Sequence, residues 1–217
     1  MPTEITTLAY KFNELDDRAK DKVREWFSPD IDLSYVVDDF KEKGAELGFR
    51  LDDVQYRVSY SQGDGASWTG QVNIAAFAAR VPDSDPNYAA YMVLMEMMRE
   101  GWVDDHGTIT RSSYFYNHSG TMGLESVGVR STGFYDEQSA IHEGILQGAS
   151  VLELFENVVT EDFIDTVQSD ILKAAQSFAD DLYKALVEAY EWEISDEHIA
   201  ECAEINEWLF DENGKIV

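Results

Sequence analysis

The fold is decided by a stretch in which apolar and polar residues alternate strictly, Val54-Gln55-Tyr56-Arg57-Val58-Ser59-Tyr60. A period of two residues is typical of a β-strand with one buried face. Turn-forming residues occupy positions 61–65, and the alternation resumes over 66–74 with Trp68, Val72 and Ile74 in phase. The pattern therefore predicts a β-hairpin.

A second hairpin is predicted further along the chain. Residues 108–117 and 121–132 are rich in Thr, Ser, Tyr and Val, and a polar turn at 117–120 joins them. Two hairpins predict an antiparallel sheet of about four strands, which helices should cover on one face. The predicted fold class is therefore α+β.

Capping and stop residues predict three helices around these strands. The expected boundaries are Asn13 and Pro29, then Ser34 and Gly48, then Asp85 and Glu100. The last third is predicted to be helical as well. Thr160 should cap a long helix with an apolar stripe formed by Ile164, Val167, Ile171, Ala175, Phe178, Leu182 and Leu186. Ser195 should cap a final helix whose inward positions are Ile199, Cys202, Ile205 and Leu209.

The charge balance is strongly negative. The 217 residues include 43 acidic and 16 basic side chains, for a net charge of -27, and residues 151–217 hold 18 of the acids and 3 of the bases. We expect a single domain, 1–217, in which residues 151–217 form an acidic helical part. Such a charge repels nucleic acid and anionic membranes and attracts basic surfaces, most of which belong to nucleic-acid-binding proteins. An adaptation of the whole chain to high salt is the alternative reading of this composition.

The partner is therefore expected to be a basic protein surface, with no direct contact to nucleic acid or membrane. A single cysteine, Cys202, and a polar N-terminus without a signal peptide predict a cytoplasmic location.

The expected contact residues are carboxylates of the last helices. Glu197, Glu201 and Glu204 fall on one helical face, with Glu207 nearby. Carboxylates four residues apart on a helix lie about 6 Å apart, a spacing comparable to that of phosphates along a nucleic acid. Further acids lie off the apolar stripe of the long helix: Asp180, Asp181, Glu188 and Glu191. The alternative is a helix face that is merely solvated.

The first hairpin turn supplies the other expected contact residues. Gly63, Asp64 and Gly65 precede Trp68, and together they predict an exposed tip with an aromatic anchor. The alternative is a connection whose glycines serve the turn alone.

No metal site, cofactor or catalytic residue is predicted. A calcium-loop pattern that begins at Asp83 fails, because Tyr88 stands where the loop requires glycine and Leu94 where it requires an acid. The four histidines lack the paired spacing of a zinc site. One catalytic alternative stays open, in which Asp64 and His118 act as acid and base from the two hairpin turns.

Several segments resemble a family of acidic bacteriophage proteins that are mostly uncharacterised, some of which carry antitoxin descriptions. The segments are Tyr10-Lys11-Phe12-Asn13-Glu14-Leu15 followed by Ala19-Lys20, then Ser61-Gln62-Gly63-Asp64-Gly65-Ala66-Ser67-Trp68 and Tyr116-Asn117-His118-Ser119, and in the last third Leu182-Tyr183 through Tyr190-Glu191-Trp192, Ser195-Asp196-Glu197 and Asn206-Glu207. The Ser-Gln-Gly-Asp-Gly-Ala block is the most specific of them. The resemblance implies a phage setting, in which small acidic proteins often inhibit host nucleic-acid or defence machinery.

Three functions follow as hypotheses. The first is an inhibitor that presents its carboxylates to a basic groove as a DNA mimic. The second is an antitoxin-like regulator that binds a specific toxin through apolar contacts such as Trp68. The third is a small enzyme that uses Asp64 and His118.

Overall fold

A computed structural model describes residues 8–28, 31–59, 61–101, 103–112, 116–125 and 161–217. The chain divides into two compact units. Unit 1 combines residues 1–36 with 184–217, and unit 2 consists of residues 37–183. Several sequence-based predictions lie outside the described residues: Tyr60 at the end of the first predicted strand, positions 126–132 of the fourth, and the predicted cap Thr160.

Unit 2 contains the sheet that the sequence predicts. Its strands are β1 (Phe49–Arg57), β2 (Gly65–Asn73), β3 (His106–Arg111) and β4 (Met122–Leu124). All neighbours are antiparallel, in the order β1-β2-β3-β4. The predicted four-stranded antiparallel sheet and the α+β class are confirmed.

The first strand begins five residues earlier than the alternation predicts. Its register with β2 shifts between Leu51 and Asp53, so the alternation is broken at that point. Gly70 lies opposite this irregularity, where a Cβ atom would be 1.9 Å from the carbonyl oxygen of Arg50. Only glycine allows the two backbones to approach so closely.

The helices of unit 2 match the sequence in part. Helix α2 (Ser34–Glu46) begins at the predicted residue, and Gly48 follows its end with φ +82°. Helix α3 (Ile74–Ala78) was not predicted; the side chain of Asn73 caps it by accepting a hydrogen bond of 2.7 Å from the Ala76 amide.

The predicted start of the next helix at Asp85 is wrong. Helix α4 spans Tyr88–Arg99, and the Asp85 carboxylate accepts a hydrogen bond of 2.7 Å from the Asn87 amide in the preceding turn. A side chain bonded two residues ahead forms an Asx-turn, which here precedes the helix instead of capping it.

The long helix of the last third is present as α5 (Glu161–Glu193). Its predicted stripe is buried at Val167, Ile171, Ala175, Phe178, Leu182 and Leu186, whereas Ile164 is half-buried and Phe163 is buried beside it. Within unit 2 the Phe178 ring lies 5.6 Å from that of Phe49 on β1 and 5.3 Å from that of Phe40 on α2. These contacts pack α5 and α2 against the sheet.

Unit 1 is built from both ends of the described chain. Helix α1 (Asp17–Phe27) and helix α6 (Asp196–Ile205) share a core formed by Phe12, Leu15, Ala19, Val23, Ile199, Ala203 and Phe210. Tyr10 and Phe210 exchange backbone hydrogen bonds of 2.8 and 2.9 Å, and Phe210 also pairs with Ile216. Residues 200 positions apart along the chain are therefore direct neighbours.

The caps of unit 1 confirm one prediction and correct another. Ser195 caps α6, since its hydroxyl accepts a hydrogen bond of 3.2 Å from the His198 amide. Asp16 caps α1 in place of Asn13, because its carboxylate accepts from the Ala19 amide at 2.8 Å. Asn13 lies in a short 3-10 helix, Phe12–Glu14, that precedes α1.

Two predicted inward positions of the last helix are wrong. Ile205 is 80% exposed, because the buried face of α6 runs through Ile199 and Ala203 and Ile205 lies off that face. Leu209 is 41% exposed, because α6 ends at Ile205 and the helical period does not extend to it. Ala203 and Phe210 fill the core instead. None of the described helices combines the length and the apolarity that crossing a bilayer requires.

Candidate partner-binding surface

Helix α6 presents an ordered row of carboxylates. We call Glu197, Glu201 and Glu204 the α6 row; their spacing of four and three residues places them on one helical face, and all three are exposed. No salt bridge between described residues involves any member of the row. Glu207, which follows the helix, is exposed as well.

The nearby cations of unit 1 are bound elsewhere on the same helix. Asp196 lies 3.3 Å from the Lys20 ammonium and also accepts from the Arg24 guanidinium, at 3.1 Å from Nε. Burial favours the neutral form of Asp196, but the hydrogen bonds from Arg24 and Lys20 outweigh it and lower the pKa of this carboxyl. These cations therefore neutralise the start of α6 and leave the row to solvent.

The interior side of α6 carries no activated nucleophile. Burial, and then the charges of Glu193 and Glu201, raise the pKa of the Cys202 thiol. A raised pKa keeps the thiol protonated, and a protonated thiol is a poor nucleophile.

The other acids predicted as contact residues lie on α5, a different helix from the row. Asp180, Asp181, Glu188 and Glu191 are exposed, but the first two belong to unit 2 and the last two to unit 1. Asp181 and Glu191 also take part in further interactions within the structure.

Asp64 is a structural residue of the first hairpin turn. Its carboxylate is 9% exposed and accepts four hydrogen bonds, from the amides and hydroxyls of Ser59 and Ser61, at 2.6 to 2.9 Å. Burial opposes its ionisation, but the bonds from Ser61 and Ser59 prevail and hold the pKa far below its usual range. The expectation that Asp64 is an exposed contact residue is wrong.

Trp68 is likewise part of the core. Its side chain is 0% exposed, its ring lies 5.3 Å from that of Phe49, and its indole N–H donates to the carbonyl of Ala175 at 3.3 Å. The alternation that predicted the strand places Trp68 on the buried face, three residues beyond the turn. The expectation of an exposed aromatic anchor at this position is therefore wrong.

The two hairpin turns do lie side by side. The Asn117 amide is 3.5 Å from the Gly63 carbonyl, and a Cβ atom on Gly65 would be 2.6 Å from the Asn117 carbonyl oxygen. His118 is exposed and its ring stacks on Tyr116 at 5.8 Å. The fold thus brings the two turns together, as the catalytic hypothesis requires. The hydrogen bonds that Asp64 accepts stabilise its ionised form, so Asp64 is a weak base for an acid–base pair with His118.

The described residues do not gather potential metal ligands at one place. Within the described ranges, no three His, Cys, Asp or Glu side chains are grouped so that they could hold a metal ion.

Comparison with known proteins identifies the family. The family model described as "Domain of unknown function (DUF8835)" matches residues 33–196, about three quarters of the chain. The chain belongs to this family. No curated protein and no solved structure shows significant similarity to it. The DUF8835 segment covers the whole sheet and all of α5, and it ends immediately before the α6 row.

Sequence reasoning missed the ion-pair group of Asp196, Lys20 and Arg24. A signal was present, since Lys20 and Arg24 stand four residues apart and so share a face of α1. Their partner is more than 170 residues away, and charge spacing alone does not reveal such a distant contact.

Proposed function

We propose that this protein binds a basic groove of a nucleic-acid-binding protein through the α6 row and thereby competes with the natural polyanion. The observation that carries the proposal is the exposure of Glu197, Glu201 and Glu204 on one face, with no salt bridge to any of them among the described residues. A row on a rigid helix holds its charges at a fixed spacing, which resembles a phosphate backbone more closely than a mobile acidic tail does.

The energetics of the row favour a contact role. Like charges at this spacing destabilise a helix by a few tenths of a kcal/mol per pair. A cationic groove removes that repulsion on binding and releases its own counterions, as it does with nucleic acid. The affinity should therefore fall steeply with salt.

The biological setting follows from the resemblance to acidic phage proteins. In that setting the partner is a host nuclease, defence complex or other nucleic-acid-binding protein, and the site of action is the host cytoplasm. The antitoxin-like alternative loses its main support, because Trp68 is buried and offers no apolar anchor.

The test compares two triple variants in pull-downs from host lysate over a salt series, with mass spectrometry. The row variant is Glu197→Gln, Glu201→Gln and Glu204→Gln. The control removes the same charge from exposed acids of α2, as Asp39→Asn, Glu42→Gln and Glu46→Gln.

We expect wild type and control to retain a basic nucleic-acid-binding protein that added duplex DNA displaces, and the row variant to lose it. Purified partner should then bind DNA more weakly in the presence of wild type. Equal retention by the row variant, or retention that salt and DNA leave unchanged, contradicts the proposal.

A further inference from the structure

A cavity of about 380 Å³ lies beside the end of the α6 row, within unit 1. We call it the Trp208 groove. Its apolar lining includes the buried Phe12, the half-buried Trp208 and the exposed side chain of Leu209. Edge-on packing against Trp26, with ring centroids 5.3 Å apart, helps to hold the Trp208 ring in place.

The charged groups around this apolar lining are mostly acidic. Glu204 and Glu207 both line the groove, and Lys11 is the one cation among the lining residues. Glu204 is also the last member of the α6 row, so the groove continues the row without a gap. An aromatic wall flanked by two carboxylates is complementary to a cation with a planar or apolar body.

Glu207 occupies a position that glycine normally takes. Its φ is +57°, the one positive value at a non-glycine among the described residues. The Trp208 amide bonds to the Ala203 carbonyl at 2.8 Å and the Glu207 amide to the Glu204 carbonyl at 3.3 Å, a Schellman motif that ends α6. Glycine avoids the steric strain of this left-handed position. Glu207 therefore lowers the stability of the protein relative to glycine, at a position that lines the groove.

We propose that the Trp208 groove binds an arginine side chain of a basic partner segment. The guanidinium would stack on Trp208 and bond to the carboxylates of Glu204 and Glu207, while its methylene stem contacts Phe12 and Leu209. Arginine fits better than lysine because its planar, weakly hydrated head both stacks on aromatic rings and bonds to carboxylates in pairs. This inference rests on the proposed function and specifies one contact of the same basic partner.

The experiment titrates the full chain with three capped tripeptides, Gly-Arg-Gly, Gly-Lys-Gly and Gly-citrulline-Gly. Citrulline has the shape of arginine without its charge. The protein carries 5-fluorotryptophan, and the fluorine resonance of Trp208 is assigned with Trp208→Phe, or by elimination with phenylalanine placed in turn at each of the other four tryptophans. Saturable movement of that resonance reports binding in the groove.

We expect the arginine peptide to bind at least fivefold more tightly than the other two. Glu207→Gln should weaken arginine binding about threefold with little change in Tm, whereas Glu207→Gly should weaken it equally and raise Tm, because the strain is relieved. Glu212→Gln removes one exposed acid of unit 1 outside the groove and should change neither quantity.

Equal affinity for arginine and citrulline, an immobile Trp208 resonance, or unchanged affinity in both Glu207 variants overturns the inference. The outcome is separable from that of the proposed function. If the arginine tripeptide does not bind but the pull-down still depends on the α6 row, the groove inference alone is rejected. If the arginine tripeptide binds but the pull-down does not depend on the α6 row, the proposed function is rejected.

Discussion

Residues 59–68 and helix α6 both carry acidic side chains, but the two regions use them in opposite ways. In the first region Asp64 is buried and each of its oxygens accepts hydrogen bonds, and Trp68 lies in the core. In the second, three glutamates lie on the surface and take part in no salt bridge between described residues. Hydrogen bonds thus hold the carboxylate of Asp64 within its own region, whereas the glutamates of the α6 row make no such contact among the described residues.

The largest effect on the free energy of unfolding is expected from replacing Trp68, which lies in the first of the two regions. Trp68→Ala removes a fully buried indole and should lower the free energy of unfolding by about 4 kcal/mol, measured by urea denaturation. Trp68→Phe keeps most of the volume and should lower it by less. A loss below 1 kcal/mol for the alanine variant would place the side chain outside the core.

Asp64 should show an intermediate effect that depends on pH. Asp64→Asn replaces an ionised acceptor and should lower the free energy of unfolding by about 2 kcal/mol at pH 7. Because the pKa of Asp64 is lowered in the folded state, its contribution is fully present above the unfolded value near 4 and is lost as pH falls through the folded value. The difference between wild type and variant should therefore be constant from pH 7 to 5 and shrink below pH 4.

The control for that measurement is Asp83→Asn, which removes a charge from an exposed turn residue. It should leave stability nearly unchanged over the same pH range. A constant difference for Asp64→Asn down to pH 2 would contradict the role of its ionised form.

The α6 row should show the smallest effect on stability. Replacing Glu197, Glu201 and Glu204 by Gln relieves their mutual repulsion but removes the favourable interaction of Glu197 with the helix N-terminus, so the net change should stay within about 0.5 kcal/mol. Thermal unfolding measures it directly. A loss of 2 kcal/mol would mean that the row stabilises the fold and would remove the contrast with Asp64.

The sequence predicts the sheet well because its signals are local. The alternation over 54–60, the turn residues after it and the Ser195 cap all act within a few positions, and the structure confirms the hairpin and the cap. The same reliance on local signals explains why the sequence predicts the start of β1 five residues too late. The irregularity between Leu51 and Asp53 interrupts the period of two, and the pairing with β2 restores the strand.

The misplaced residues depend on tertiary contacts or on where an element ends. A helical period extended past the end of α6 wrongly predicts Leu209 in the core, and Ile205, in the last turn, lies off the face that Ile199 and Ala203 bury. The aromatic ring of Trp68 favours an exposed contact role. Its position three residues after Gly65, on the inward face of β2, places it in the core instead. The Trp208 groove has no sequence signature, since residues near position 12 and near position 208 form it together.

The pairing of Tyr10 with Phe210 has a consequence for the order of events during synthesis. On the ribosome, all of residues 37–183 are made before the second half of unit 1 exists, so the sheet can form first. The residues around Phe12 and Val23 must wait with their apolar side chains uncovered until Ile199 and Phe210 have left the exit tunnel. The contacts between α1 and α6, and the groove beside them, can therefore form only after the sheet of unit 2 has been synthesised.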